Sequence, residues 1–477
     1  MNIRSGRILS AYSSWSRAIA GVASIAFLSL IPGCQATLPT SDVPLPRGYQ
    51  PLSTRFAPSS TFTDSRRQAA KKQVTIVGMT GTKQEESIKK ALEPFEQQTG
   101  IEIIYSGIES FNTRLPEQVK SGNTSNIGPD IAIVPQPGLI AELANANEIV
   151  PLSSFLDSTQ LRSAYSDTWL DLGSVEGELY ALFYRVSVKS LVWYSPIAFE
   201  TKGYDIPRTW ADLMALSDRI VADGGNPWCI GLESGDISGW PGTDWIEDIM
   251  LRTAGPEAYR QWITHELPFN SPQVLKAFQL FEQILHSPSY VSGGAITATQ
   301  LNYADAPLGL FQSPPACYMH RQANFILTTY PEEKAPRVDY DFFLLPGIDQ
   351  RFGTPLLVAG DALVMLQDTD EARQLMTYLT TSQPYEVWAK AGNFIAPHRG
   401  VDIETYPDIV IQRIAQHLQE AEVVRFDGSD LMPRAVGRGS FWSAMMDLAA
   451  GDASAELVQQ IDEAWPPTAS SQTQVWE

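Results

Sequence analysis

Residues 74 to 134 constrain the fold more than any other stretch, because they read strand, helix, strand. Val74-Thr75-Ile76-Val77-Gly78 is a short apolar, β-branched run of the kind that forms a buried strand. Thr82-Lys83-Gln84-Glu85 follows as a capping box, a Thr hydroxyl with an acidic residue three positions on. Ile88, Ala91, Leu92 and Phe95 then recur at i, i+3, i+4 and i+7, one apolar stripe along a helix, and Gly100 stops it. Ile101-Glu102-Ile103-Ile104-Tyr105 is a second strand. Ile131-Ala132-Ile133-Val134 is a third, after Gly128-Pro129-Asp130. A helix between two strands makes a crossover, so the sheet is expected to be α/β and largely parallel. Sheets of this type place ligands beyond the carboxyl ends of their strands, here Gly78 to Gly81, Gly107 to Ser110 and Pro135 to Gly138.

The alternation continues downstream. Thr209-Trp210-Ala211-Asp212 opens a helix with Leu213, Leu216 and Ile220 on one face, and Ser271-Pro272 opens another with Leu275, Phe278, Phe281 and Leu285 inward. Asp361 to Leu366 reads as a strand and Glu371 to Leu379 as a helix. A chain of 477 residues has room for two or more such units.

The N-terminus addresses the chain out of the cytoplasm. Arg4, Arg7 and Arg17 precede the apolar run Ala18 to Ile31, which Gly21 and Ser24 interrupt and which is short for a membrane span. It ends Leu30-Ile31-Pro32-Gly33-Cys34, which resembles a bacterial lipobox, although Pro32 replaces the small residue usual there. Residues 1–33 are therefore expected to be a cleaved signal and Cys34 to carry lipid. Several acyl chains on one Cys hold stably where one alone binds marginally. Residues 34–73 then form a tether, with Pro39, Pro44, Pro46, Pro51 and Pro58 among many Ser and Thr and no apolar period. Of three cysteines, Cys229 and Cys317 remain as an even pair, expected outside the cytoplasm as a disulfide, or else as two buried thiols. Without a CxxC or Cys/His cluster, no metal site is expected.

Charge and motifs exclude several function classes. Lys+Arg total 34 against Asp+Glu 54, a net −20 that repels nucleic acid and anionic surfaces and suits a neutral or cationic small molecule. His265, His286, His320, His398 and His417 are scattered, and there is no nucleophile elbow, phosphate loop or dinucleotide fingerprint. Asp244 and Asp248 share a helix face, but glycosidase carboxylates flank their substrate about 5–9.5 Å apart, and same-helix neighbours read better as a solvated face. No catalytic residue and no cofactor is expected. Sugar-binding chemistry is present instead: hydroxyls want carboxylates and amides, and C–H faces want rings. Ser238-Gly239-Trp240-Pro241-Gly242-Thr243-Asp244-Trp245 is the densest such stretch, with helix capping by Asp244 and packing by the two Trp as its structural alternative.

A resemblance then emerges from ordered segments. They are Pro129-Asp130-Ile131-Ala132-Ile133-Val134-Pro135-Gln136-Pro137-Gly138, Val188-Lys189-Ser190-Leu191-Val192-Trp193-Tyr194, Pro227-Trp228-Cys229-Ile230-Gly231, and Gly239-Trp240-Pro241 with Thr243-Asp244-Trp245. Pro315-Ala316-Cys317, His320-Arg321-Gln322, Gly360-Asp361, Asp430-Leu431-Met432-Pro433 and Ser440-Phe441-Trp442 continue the series. Over residues 74 to 465 the chain resembles the ABC-importer solute-binding proteins that include maltose-binding protein, and more narrowly their α-glucoside-binding branch. The placing of both cysteines inside matched segments favours the disulfide.

That resemblance implies two α/β lobes of the periplasmic-binding-protein fold, with an interlobe cleft and hinge strands crossing near 184–188 and 338–345. It implies lobe 1 at 74–185 plus 346–400, lobe 2 at 186–345 plus 401–466, and a tail at 467–477. The ligand residues it implies are Glu109, Gln136, Arg185, Lys189, Trp240, Asp244, Trp245, Arg321, Phe325, Gly360, Asp361, Arg434, Arg438 and Trp442. The partners it implies are a small sugar or glycoside and the transmembrane subunits of an ABC permease, with the membrane reached through the lipid anchor; no nucleic acid partner and a monomer are expected. Maltose, trehalose, sucrose and glucosylglycerol-like solutes all remain open. A secreted glycoside hydrolase lacks its acid/base pair here, whereas a sugar-sensing lipoprotein would share the fold.

Overall fold

The computed structural model describes residues 72–79, 84–108, 115, 128–392 and 395–467, and these described residues form one unit. Strand β1 (Gln73–Met79) pairs in parallel with β2 (Glu102–Ile108), Val74 beside Ile103 and Ile76 beside Tyr105. The helix Gln84–Thr99 joins them, burying Ile88, Ala91, Leu92 and Phe95 as the stripe requires. Thr82 and Lys83 of the expected capping box lie outside the described residues. On the other edge of β1 runs β3 (Ile131–Val134), also parallel. Asp130 secures its start, since the Thr75 N–H donates to the Asp130 carboxylate at 2.8 Å and the Asp130 N–H returns to the Thr75 carbonyl at 3.1 Å.

The chain then makes the hairpin β4 (Ser174–Val175) and β5 (Glu178–Leu179), the strand β6 (Ala181–Val188), and β7 (Leu191–Tyr194). Three strands follow after long helical stretches: β8 (Met319–Arg321), β9 (Asp341–Leu344) and β10 (Leu356–Met365). β11 (Val424–Phe426) is the last.

Ten residues of β10 organise the first sheet. Ala362 lies opposite Val134 of β3 on one edge and Phe183 of β6 on the other, while Val358 lies opposite Phe426 of β11 and Val188 of β6. β10 thus carries β6 along one edge and β3 then β11 along the other. The sheet is mixed, where a largely parallel one was expected. β1, β2 and β3 are parallel, but β10 arrives in the opposite sense, so it pairs antiparallel with β3 and β6. The second sheet is β8-β7-β9, all antiparallel, with Val192 between Arg321 and Phe343.

Three segments cross between the sheets. Residues 189–190 join β6 to β7, residues 345–355 join β9 to β10, and Asp427 follows β11 into helical chain. The expected lobe boundaries at 185/186 and 400/401 therefore cut through the first sheet. β6 pairs with β10 as far as Val188, and β11, inside the 401–466 stretch, pairs with β10 as well.

The side chains around the second sheet form the bulk of the aromatic core. Trp193, Trp228, Trp245 and Trp262 are all fully buried. Thr209 and Asp212 form the expected capping box of the Trp210–Ala222 helix. The Pro272–His286 helix buries Val274, Ala277, Phe278, Phe281, Ile284 and Leu285; Leu275 sits at the edge of that stripe, half-buried. Cys229 and Cys317 are joined by a disulfide, their Cα atoms 5.3 Å apart. No helix among the described residues is long and apolar enough to cross a membrane.

Candidate functional site

The site is built around the Trp240–Thr253 helix. It starts at Gly239, whose φ of 102° is left-handed and whose missing Cβ would otherwise press on the Trp442 carbonyl oxygen. Pro241 fits the first turn, where its absent N–H is not needed. Spacing at i, i+4 and i+8 puts Asp244, Asp248 and Arg252 on one face, and that face is fully buried. The solvated face expected for Asp244 and Asp248 is thus corrected: cations from two other segments, and Arg252 of the same helix, meet these carboxylates inside the protein. Lys189 Nζ donates to Asp244 Oδ1 at 2.7 Å and also pairs with Asp427. Arg321 Nη2 donates to Asp248 Oδ2 at 2.9 Å, and its Nη1 lies 3.4 Å from Asp244 Oδ2. The Ser190 hydroxyl donates to Asp248 Oδ1 at 2.7 Å, and Arg252 pairs with the same carboxylate.

This helix also pins all three crossings. Lys189 and Ser190 are the first. Arg252 donates to the carbonyls of Leu345 and Pro355, at 3.0 Å each from Nη2, which are the two ends of the second. Glu247 accepts from the backbone N–H groups of Gly428 (2.9 Å) and Ser429 (3.0 Å), beside Asp427 on the third. Burial pushes Asp244 up to about 6 despite Lys189 and Arg321, and it pushes Glu247 well above the usual carboxylate range, with Asp427 and Asp244 adding to the rise. Burial also acts upward on Asp427, but the Lys189 ammonium overrides it and holds the carboxyl below its ordinary value. Burial acts downward on Lys189, and Asp244 and Asp427 more than reverse it. The carboxylates of Asp244, Glu247 and Asp427 lie within 4.8 Å of one another, close enough for a metal ion, but Lys189 already supplies a cation to two of them.

Three half-buried rings sit beside this network. Trp240 packs on Tyr303 (centroids 5.1 Å, 67°) and on Phe325 (5.9 Å, 55°), and Tyr303 meets Phe325 at 6.5 Å. Rings this close leave no gap for a cation between them, so they form a continuous patch rather than a cage. Lys189 Nζ lies 5.3 Å from the Trp240 centroid. The Val188 N–H donates to Asn324 Oδ1 at 2.7 Å, which fixes the turn carrying Phe325 against the end of β6. From the first sheet, Arg185 pairs with Asp361 across the β6–β10 irregularity, and its charge acts on the Tyr303 hydroxyl, opposing the upward push of burial there. A further edge holds Arg438 over the Trp442 ring at 5.6 Å, with Trp442 Nε1 donating to Ser429 Oγ at 3.2 Å.

Several buried polar atoms around this junction have no hydrogen-bond partner among the described residues: Gln136 Oε1, Arg185 Nε, Trp240 Nε1, Arg438 Nε and Nη1, and Ser440 Oγ. An orphaned buried donor or acceptor costs about 1–3 kcal/mol. The set holds both donors and acceptors, so a ligand rich in hydroxyls, each of which does both, matches it.

The expected ligand residues divide accordingly. Glu109 lies outside the described residues. Gln136, at the N-cap of the Pro137–Asn145 helix, Arg185, Trp240, Phe325, Asp361, Arg438 and Trp442 gather at the junction. Gly360, opposite Val186, lets β10 approach β6, since a Cβ there would meet the Arg185 carbonyl at 2.7 Å. Arg434 begins the same helical segment as Arg438 and is half-buried. Lys189, Asp244 and Arg321 lie beneath the patch, engaged with one another. Trp245 is placed in the core, not on the cleft: it is stacked on Phe281 at 5.4 Å and edge-on to Trp228 at 5.0 Å, because its helix position faces away from Trp240. Tyr303, Glu247 and Asp427 were missed. Tyr303 carries no periodic signal, whereas Asp427, in Phe426-Asp427-Gly428-Ser429, was visible as an acidic turn after a short strand.

The fold and this site define a two-lobed receptor of the bacterial solute-binding class. Residues 80–386 match the model of the bacterial extracellular solute-binding protein family, and the chain belongs to that family. The osmoprotective compounds-binding protein GgtB of Synechocystis sp. is 46% identical over 396 residues, 83% of this chain and 93% of that protein. The alpha-glucosides-binding periplasmic protein AglE of Rhizobium meliloti is 38% identical over 400 residues, 82% of this chain and 86% of that protein. Among solved structures, the solute receptor AcbH superposes with a TM-score of 0.72 at 17% identity, covering 83% of this chain and 98% of that one. A chitin oligosaccharide binding protein gives 0.70 at 16%, covering 82% and 97%. At those identities the likeness shows the fold alone.

Proposed function

We propose that this protein captures a neutral small glycoside, an α-glucoside, disaccharide or glucosylglycerol-like solute, at the junction of its two sheets and hands it to an ABC permease. Family membership supports the transport role and the extracytoplasmic location, and the relatives' printed ligands, osmoprotective compounds and alpha-glucosides, support the ligand class. The observation that carries the chemistry is the half-buried Trp240–Tyr303–Phe325 patch flanked by orphaned donors and acceptors. Rings cover the C–H face of a sugar, and the orphaned atoms take its hydroxyls.

The protein works as a binder and not as an enzyme. Asp244, Asp248 and Asp427 near the patch are engaged by Lys189, Arg321 and Arg252, which leaves none of these three free to act as acid or base across a substrate. Closure follows from contacts that ligand makes with both lobes at once. The protein acts as a monomer, held at the membrane by lipid on Cys34. Incubation with a glucoside panel, followed by chromatography of what is bound and then released, tests the role. The ligand returns chemically intact; a cleaved glycoside among the products would overturn this reading in favour of a hydrolase.

A further inference from the structure

The disulfide lies outside the patch, yet one short segment beside it touches all three rings' supports. In Cys229–Glu233, the Leu232 carbonyl accepts from the N–H of Gly239 at 2.8 Å, the residue that sets Trp240. The Glu233 carbonyl accepts from the N–H of Tyr303 at 3.0 Å, and Glu233 Oε2 accepts from Asn302 Nδ2 at 2.6 Å. The Cys229 N–H donates to the Met319 carbonyl at 2.8 Å, on β8, four residues before the Ala323-Asn324-Phe325 turn begins. Gly231 packs so closely that a Cβ there would meet the Asn302 carbonyl at 2.8 Å, and Gly309 packs on the Cys317 sulfur in the same way at 2.4 Å. Neither the 226–233 stretch nor the 298–306 stretch is built from regular strand ladder; isolated bridges at Trp228 to Met319 and Glu233 to Asn302 hold them. The covalent link between Cys229 and Cys317 adds to these bridges and hydrogen bonds a restraint that thermal motion does not open.

From this geometry we infer that the Cys229–Cys317 disulfide is a positioning device for the aromatic patch, so that ligand affinity depends on it through Tyr303. The inference rests on the reading of the patch as the glycoside site. Loosening the segment lets the Asn302–Tyr303 turn drift from Trp240 and Phe325, and the ring surface offered to ligand breaks up. A disulfide that only stabilises the folded state acts differently: its loss lowers the melting temperature and leaves the affinity of the folded protein alone.

A double-mutant cycle separates the two. The protein and its Cys229→Ala/Cys317→Ala form, each with and without Tyr303→Ala, are titrated calorimetrically with maltose, sucrose, trehalose and glucosylglycerol well below their melting temperatures. Loss of the cysteines weakens binding about tenfold when Tyr303 is present and less than about twofold when it is Ala. Unchanged affinity with a lowered melting temperature, or equal weakening in both backgrounds, overturns the inference. Cys229→Val/Cys317→Ala, which also removes the disulfide but fills more of the space the sulfurs leave, supplies a second variant should the first cysteine form not fold. It weakens binding in the same Tyr303-dependent way, and no effect on affinity overturns the inference. If the unaltered protein binds none of the four, the glycoside reading fails first and takes the inference with it.

Discussion

Lys189 Nζ donates to Asp244 Oδ1 at 2.7 Å, and the same ammonium pairs with Asp427. One side chain on the first crossing thereby joins the central helix to the third crossing, inside the protein and beneath the Trp240 ring. A buried cation between two carboxylates replaces water that none of the three groups could otherwise do without.

Removing that cation is expected to cost more than removing an ordinary surface charge. Lys189→Met leaves Asp244 and Asp427 buried with less compensation and destabilises the protein by about 3–5 kcal/mol. Urea unfolding of the two proteins measures it. A change within about 0.5 kcal/mol, the range of surface substitutions, would show that the pair bears no weight.

Two tryptophans five positions apart are expected to fail in opposite ways. Trp240→Ala removes part of the half-exposed patch, weakening glucoside binding about 10–100-fold with little effect on unfolding. Trp245→Ala empties a core site between Phe281 and Trp228 and lowers stability by about 3–5 kcal/mol. Calorimetric titration and thermal unfolding of both variants distinguish the roles, and an affinity loss for Trp245→Ala at full stability would reverse the assignment.

His320 gives a signed pH dependence. Its Nδ1–H donates to the Cys229 carbonyl at 2.8 Å, and burial lowers its pKa to about 4, with Arg321 adding to the effect. The unfolded chain, near the ordinary value of 6.5, takes up the proton first. The stability His320 contributes is therefore complete above pH 6.5 and is lost as pH falls toward 4, about 3 kcal/mol in all. Asp244, raised to about 6, runs the other way: its contribution is lost as pH rises from 3.8 through 6. The two oppose each other in the wild type, so the difference between wild type and His320→Gln isolates the histidine. Between pH 7 and pH 4 the wild type loses about 3 kcal/mol more than the variant in urea unfolding; parallel losses would contradict a neutral, buried His320.

The membrane anchor is tested at Cys34. Cys34→Ser is expected to move the protein from the membrane fraction to the soluble extracytoplasmic fraction, read by fractionation and immunoblotting. Retention on the membrane would argue for another means of attachment.

The first βαβ unit was legible because its apolar residues keep strict periods, as Ile88, Ala91, Leu92 and Phe95 do along one helix. The mixed character of the sheet was not. It depends on β10 and β11 returning from far along the chain, and local pattern carries no record of which strand a distant segment meets. The same limit explains Asp244 and Asp248. Their spacing showed a shared face, but Lys189, Arg321 and Asp427, which turn that face into a buried network, are remote in sequence. Trp240 and Trp245 were read together as one loop, and only the left-handed Gly239 that starts the helix between them sends one ring to the patch and the other to the core.

Calorimetric titration of the unaltered protein with maltose, sucrose, trehalose, glucosylglycerol and the cationic solute choline tests the central claim most directly. The account predicts one site per chain for at least one of the four neutral glycosides, and no heat from choline. Binding of choline with none of the glycosides would contradict it.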